Sequence, residues 1–444
     1  FTEQELEIWR DRAKNGPYKV SGDVSTNSPG DWERIVKEAG KFMLNPAADR
    51  WKGEGDLNSC VQQWSYEPFL EGNGLKHAAF VFLITGKEAY RDAVLKELLA
   101  QVSEPLTDFS NTRHWCDGVL KDINPSFFIT EWLARLLHAY DYIRSTISDQ
   151  DRQLIENWFK DAALFFQRNL DEMQIYYFYG SHEKRAQELV EMWDPFKTIE
   201  EISHYNGWPI PMIARCWNNR KGNQARYVGL AGVLLEEESL IKSAKLYFKE
   251  WIKYSVFPDG TIGEMERWTK ENPDLGWCYA GETITQMVEI ADALARKGDN
   301  SLYEFSTSEG YPGTALVGGN KSLLLAIKAF LKYMDQSWKP LRYATVNFHQ
   351  KGNEDYLING YNPLNGWDGI QDIYFTQANV YYQDEYINEV YTRRAARVRE
   401  YPKRPPYPHE LTWEGSGHIF PGKLFMFGQM EGKVWPFGEK RENN

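Results

Sequence analysis

Residues 75–102 read LKHAAFVFLITGKEAYRDAVLKELLAQV. Apolar residues recur at helical spacing as far as Thr85-Gly86, pause, and resume after Lys87, which is the pattern of two amphipathic helices joined by a tight turn. Such a pair cannot bury its apolar faces alone, so it has to stack on others of its kind. The same grammar returns at 125–169 (PSFFITEWLARLLHAYDYIRSTIS, then DQDRQLIENWFKDAALFFQRN), at 223–254 (NQARYVGLAGVLLEEESLIKSAKLYFKEWIKY) and around 276–305, with 322–334 as a further helix.

The chain has 444 residues, more than one hydrophobic core usually serves, so repeated units or several domains are required. Closing the stack of hairpins into a ring predicts an all-α fold, an (α/α)n toroid or incomplete barrel with n about 6–7, long loops and a few short strands. An open solenoid is the alternative, but its repeats have uniform length, and here the spacing is irregular. From about residue 339 the text turns rich in Asn, Gly, Pro and Tyr (YLINGYNPLNGWDGIQD at 356–372, YPKRPPYPHELTWEGSG at 401–417). This stretch is read as loops and short strands packed on the toroid, with one helix near 386–397, inside a single domain spanning 1–444.

Composition narrows the function. Hydrophobic residues make up 42% and no apolar run is long enough to span a bilayer, so no membrane partner is expected. A net charge of −12 argues against a nucleic-acid binder, which needs surplus Lys and Arg for phosphates. It leaves an anionic substrate open, because a few arginines in a cleft set the local field. The 17 Trp, 26 Tyr and 23 Phe reach 15%; most belong in the core, yet Trp faces also suit sugar rings. Cys60, Cys116, Cys216 and Cys278 are dispersed, with no zinc spacing. No cofactor or metal motif is present, although scattered acids and histidines leave an assisting divalent ion open. The chain starts at Phe1 without a leader; a secreted or periplasmic location is expected from function, not from a signal.

Unusual polar residues gather in three stretches: HYNGWPIPMIARCWNNRKGNQARY (204–227), PDGTIGEMERW (258–268) and GWCYAGETITQ (276–286). In the first, Asn218, Asn219 and Arg220 precede a helix expected from near Asn223, and one asparagine of the pair is a natural N-cap. In the second, Pro258-Asp259-Gly260 forces a turn, and Glu264, Glu266 and Arg267 follow it. The third places Trp277 and Tyr279 at a helix start.

These stretches resemble the α/α-toroid polysaccharide lyases, especially the alginate lyases, with a weaker likeness to the heparinase and chondroitin lyases. Asn218-Asn219-Arg220 ahead of YVGLAGVLL is similar to the Asn-Asn-His triplet that opens a small-residue-rich inner helix in the alginate lyases. Arg267 matches their later arginine, and Tyr279 is the nearest candidate for their tyrosine. The PDGTIGE stretch is similar to the DG(S/T)xxE segment of heparinase-like lyases. Two departures stand out: Arg220 replaces the triplet's histidine, and the gap from Arg267 to Tyr279 is longer. The resemblance implies a lyase acting on an anionic poly- or oligosaccharide, a glucuronan or alginate for instance. Its catalytic residues would be Tyr279, Asn219, Arg267 and Arg220, with His204 entering from a neighbouring loop unless Tyr279 works alone.

The chemistry explains those residue types. β-Elimination removes the C5 proton of a uronide, which is hardly acidic until the adjacent carboxylate is neutralised. Donors such as Asn219, Arg220 and Arg267 neutralise it and stabilise the enolate-like charge. A tyrosine close to arginines has its pKa of about 10 pulled down, so it can take the C5 proton and return one to the O4 leaving group. One residue doing both must act from one face. In glucuronate and mannuronate the C5 hydrogen and O4 share a face, whereas in galacturonate and guluronate they are opposed, so a tyrosine-only site predicts the first two. Trp208, Trp217, Trp268 and Trp277 are the expected stacking platforms, and Asn218, His114 and Glu264 the expected polar contacts. Each has a plain structural alternative: a cap, a packed aromatic, a hydrogen-bonded histidine, or an Arg267 paired with Glu264 or Glu266. Two rival functions remain: a glycoside hydrolase using Asp259, Glu264 or Glu266 opposite Asp117 or Asp368, and a glycan-binding protein without catalysis.

Overall fold

A computed structural model describes residues 1–15, 31–49, 73–103, 124–174, 217–266, 275–310, 316–334, 375–397 and 420–438. Among these residues the helices come in six pairs: α1 (Glu3–Lys14) with α2 (Asp31–Leu44), α3 (Asn73–Thr85) with α4 (Glu88–Val102), α5 (Asn124–Ile143) with α6 (Asp149–Gln174), α7 (Asn219–Leu235) with α8 (Glu238–Ser255), α9 (Leu275–Ala295) with α10 (Leu323–Met334), and α11 (Thr376–Tyr382) with α12 (Glu385–Arg397). A last short helix, α13 (Lys423–Phe427), follows.

The odd-numbered helices form an inner row in which α3 packs on α5, α5 on α7, α7 on α9 and α9 on α11. Helix α13 bridges α11 and α1, and α1 returns to α3, so the row closes into a ring. Outside it α4 packs on α6 and α6 on α8, while α2 and α6 also wedge against the next inner helices, α3 and α7. The fold is therefore an all-α, α/α toroid. Strands are confined, among the described residues, to an antiparallel pair, β1 (Ser306–Thr307) and β2 (Lys321–Ser322).

Burial separates the inner helices from the outer ones. In α7 the run from Lys221 to Gly232 is buried on every side, as befits a helix with neighbours all round. Helix α8 buries Leu240, Ser243, Ala244, Tyr247, Phe248 and Trp251 but exposes Ser239, Lys242 and Leu246, as befits an outer helix with one face in solvent. The hairpin turn at Gly86 has φ of 69°, and its N–H donates to Phe82 O at 2.7 Å; a left-handed residue ending a helix favours glycine.

Small residues bring α7 close to its neighbours. A Cβ placed on Gly232 would lie 2.9 Å from both the Ile241 backbone N and Leu240 Cβ. Alanine there gains about 1 kcal/mol of helix propensity and loses ~1–3 kcal/mol to overpacking against backbone. Gly232→Ala is expected to lower the unfolding free energy by a net ~1 kcal/mol, read as a lower urea midpoint with the slope unchanged; a midpoint at or above that of the parent would contradict this packing.

The ring is sewn shut by groups far apart in sequence. The Trp9 indole N–H donates to Met426 O at 2.7 Å, a separation of 417 residues. Arg12 donates to Gly428 O at 2.6 Å, His77 Nε2 lies 3.1 Å from Pro421 O, and Arg296 pairs with Glu5 at 2.8 Å. The C-terminal stretch is thus structural. Helix α12 coincides with the expected 386–397 helix, but α11 was not expected, and the two supply the sixth hairpin. Helix α11 has only seven residues and starts from Phe375 in the left-handed region, without a side-chain cap, so neither periodicity nor a start signal marks it.

Candidate functional site

The inner helices α7 and α9 run parallel and in register. Asn219 Nδ2 donates to Glu282 at 2.9 Å and Arg226 to Glu289 at 3.0 Å, and both pairs are 63 residues apart. Three inner helices carry a polar group at i, i+4 and i+7: Glu131, Arg135 and His138 on α5, Asn219, Asn223 and Arg226 on α7, and Glu282, Gln286 and Glu289 on α9. Charges buried this way must be paired, and they are. Arg135 pairs with Glu131, while Glu289 is held by Arg226 and Lys423. Burial alone would raise the Glu289 pKa; Lys423 and Arg226 overcome it and hold the carboxyl low. His138 is pushed down to about 3 by burial, so it is neutral.

At the N-terminal end of α7, Asn218 is the cap: its side chain accepts from the Lys221 N–H at 2.9 Å, so the helix begins at Asn219 and not near Asn223. Two carboxyls then fix Asn219. Glu264 accepts the Asn219 backbone N–H at 3.0 Å, and Glu282 accepts its side-chain amide. The Thr283 hydroxyl stands between Glu264 and the Tyr279 carbonyl oxygen, the latter at 2.9 Å. Tyr279 lies one turn before Glu282 on α9 and is part-exposed, as is Arg220.

The turn at 258–260 delivers Glu264. Gly260 has φ of 88° and donates to Phe257 O at 2.8 Å, while Phe257 N–H donates to Thr261 O. Asp259 accepts from the Thr261 N–H at 3.1 Å and its hydroxyl at 2.6 Å. One oxygen of that carboxylate holds the turn.

Burial raises Glu282 to about 8; Glu131 and Glu264 push the same way, the Asn219 hydrogen bond and Arg226 the other. At neutral pH this carboxyl keeps its proton and can donate a hydrogen bond. The sequence reading missed Glu282, Thr283 and Glu131. The local signal was weak: Glu282 and Thr283 stand among other polar residues in GETITQ, and the i, i+4, i+7 spacing gains meaning only when the inner helices are compared.

Asn219, Arg220, Glu264 and Tyr279 are therefore gathered at one end of the ring. Glu264 is 1% exposed and tied to Asn219, so it positions Asn219 where a substrate contact was expected. Asn218 is buried as a cap, not presented to a ligand. Trp217 is fully buried, 5.2 Å from Tyr254; the stacking face expected of it is turned into the core, because it sits just ahead of the helix start that Glu264 pins down. Arg267, His204, His114, Trp208 and Trp268 lie outside the described residues, as do Asp117 and Asp368; Trp277 is carried by α9, but its side chain and that of Glu266 also lie outside them. Among the described residues no group of three or more His, Cys, Asp or Glu is arranged to hold a metal ion, and no helix is long and apolar enough to cross a membrane.

Among solved structures, the chain is similar to alginate lyase A1-III from Sphingomonas species A1, with 11% identity over 94% of this chain and 98% of that chain and a TM-score of 0.46. No protein-family model matches the chain, and no curated protein matches it.

Proposed function

We propose that this protein is a polysaccharide lyase that cleaves a uronic-acid polysaccharide of the glucuronate or mannuronate type by β-elimination. The observation that carries the reading is the N-terminal end of α7, where Asn219 is pinned by Glu264 and Glu282, the part-exposed Arg220 follows it, and the part-exposed Tyr279 lies one turn before Glu282 on α9. A uronate carboxylate brought here meets the Arg220 charge, and Glu282 beside Asn219 keeps its proton and adds no negative charge of its own. With that carboxylate neutralised, Tyr279 takes the C5 proton and protonates O4, and Arg267 adds a further positive charge. His204 serves as base if the tyrosine acts only as acid.

The test is an ultraviolet assay on polyglucuronate, polymannuronate and polyguluronate. Elimination leaves an unsaturated uronide that absorbs, and the expected result is absorbance growth on the first two polymers. Growth on polyguluronate alone would remove the one-face mechanism. A second reading draws on one specific feature: Glu264 and Glu282 both bond to Asn219, and a protonated buried carboxyl suits a general acid for glycoside hydrolysis. Reducing ends released without ultraviolet absorbance would select that reading, and oligouronide binding without turnover would select a glycan-binding protein.

A further inference from the structure

The parallel inner helices give the ring two unlike ends. At the end opposite Asn219, the C-terminal turns of α5, α7 and α9 surround a cavity of about 410 Å³, within the range of small-molecule sites. Its charges are answered. Arg144 pairs with Glu156, Lys297 with Glu236, Arg296 with Glu5 and Asp292, and Glu289 with Arg226 and Lys423. Asp141 faces the Phe1 ammonium, Arg144 and Lys297. A charged ligand would give up water here without gaining a spare opposite charge.

What the cavity does have to spare is hydrogen-bonding capacity. The pair of Arg296 and Asp292 uses only part of each side chain. Arg296 donates through Nε to Asp292 Oδ2 at 2.6 Å and through Nη1 to Glu5 at 2.8 Å, and Oδ2 also accepts from Gln377 at 3.0 Å. Arg296 Nη2 and Asp292 Oδ1 are buried without a hydrogen-bond partner among the described residues, and so are the Tyr142 hydroxyl and His138 Nε2. All four side chains line the cavity. The set is mixed: Arg296 donates, the Asp292 carboxylate accepts, the tyrosine hydroxyl does both, and Nε2 of the neutral His138 does one or the other according to its tautomer. Buried polar atoms of this kind find partners in native proteins.

Much of the remaining wall is aromatic, with Trp9, Phe420 and Phe427. Water can serve the four polar atoms but gains nothing from the ring faces. A pyranose serves both, because each hydroxyl donates and accepts while the C–H face of the ring covers aromatic carbon.

We infer that this cavity is a binding site for a neutral pyranose sugar, held by Arg296 Nη2, Asp292 Oδ1, the Tyr142 hydroxyl and His138 Nε2 against the aromatic wall. The site is separate from the Asn219 corner and does not rest on the lyase reading.

Ligand-observed NMR titration with the methyl pyranosides of glucose, mannose and galactose tests it, with cyclohexylmethanol as a ring of similar size that lacks most of the hydroxyls. Saturable binding is expected for at least one glycoside and not for cyclohexylmethanol. Tyr142→Phe removes a buried hydroxyl with no partner among the described residues, so the fold is expected to survive while binding weakens about threefold through the lost hydrogen bond. Ala293→Phe adds a ring to a residue that lines the cavity and is expected to abolish saturation. Arg220→Ala, at the opposite end, is expected to leave it unchanged, which keeps this site distinct from the Asn219 corner. No saturation by any of the glycosides, equal binding of cyclohexylmethanol, unchanged affinity in Tyr142→Phe, or loss of binding in Arg220→Ala would overturn the inference. Should Ala293→Phe fail to fold, as a thermal melt reveals, Tyr142→Phe decides alone.

Discussion

Tyr279→Phe is expected to lower kcat on polyglucuronate or polymannuronate by about 10²–10⁴, the usual worth of a positioned proton-transfer group, with KM changed only a few-fold. The substitution removes one hydroxyl and keeps the ring, and Tyr279 is part-exposed on α9, so the fold is expected to survive; an unchanged helical circular dichroism spectrum checks this. The geometry behind the prediction is specific. The Tyr279 carbonyl lies 2.9 Å from the Thr283 hydroxyl, which also meets Glu264, the carboxyl that holds the Asn219 N–H. The backbone at Tyr279 and the backbone at Asn219 are thus tied together through the Thr283 and Glu264 side chains. A loss in KM alone would make Tyr279 a binding residue, and full activity would end the elimination mechanism as drawn. His204→Ala separates the two proton routes: a tyrosine working from one face tolerates it, whereas a histidine base loses kcat to a similar degree.

The fold was legible because helical hairpins write themselves twice, once in apolar spacing and once in the break between them. The break at Thr85-Gly86 marked the end of α3, and the structure ends the helix there with a left-handed glycine. What sequence did not separate was inner from outer helices. Helix α7 is buried all round although it carries Arg226, Lys221, Asn223 and Gln224, and polar residues of that kind normally mark a solvated face. Their partners are inside the ring: Arg226 reaches across 63 residues to Glu289 on α9, which Lys423 also holds, while Lys221 bonds Gln224 and Arg226 bonds Asn223 along α7. Long-range pairing of this sort leaves only a weak local trace. The candidate site was half legible for the same reason. Asn219 and Tyr279 stood out by composition and resemblance, while Glu282 reads as one more glutamate until α7 and α9 are laid side by side. Trp217 was misjudged on similar grounds, since a tryptophan among polar neighbours reads as a surface platform, whereas here it is buried beside Tyr254.

Glu282→Gln is expected to change how stability depends on pH, and by a large amount. The carboxyl has a folded pKa of about 8 against an ordinary value of 4.5. Below the ordinary value both folded and unfolded chains hold the proton, so this group carries no penalty there. As pH rises from 4.5 to 8 the unfolded chain releases the proton and the folded chain keeps it, so the folded state binds more protons and stability falls. The shift corresponds to about 5 kcal/mol lost across that window, as an order of magnitude. Glutamine is neutral throughout and keeps a donor and an acceptor for Asn219, so the variant should match the parent near pH 5 and exceed it by several kcal/mol above pH 8. Denaturant melts at the two pH values measure the difference, and parallel stability curves for parent and variant would show that Glu282 ionises like an exposed carboxyl. Catalysis gives a separate readout of the same proton. If the neutral acid faces the substrate carboxylate, the parent loses kcat/KM as pH rises through about 8 and the glutamine variant does not lose it there. A stability difference that appears while the alkaline limb stays in place would keep Glu282 as a buried, protonated strut for Asn219 and remove it from contact with the sugar acid.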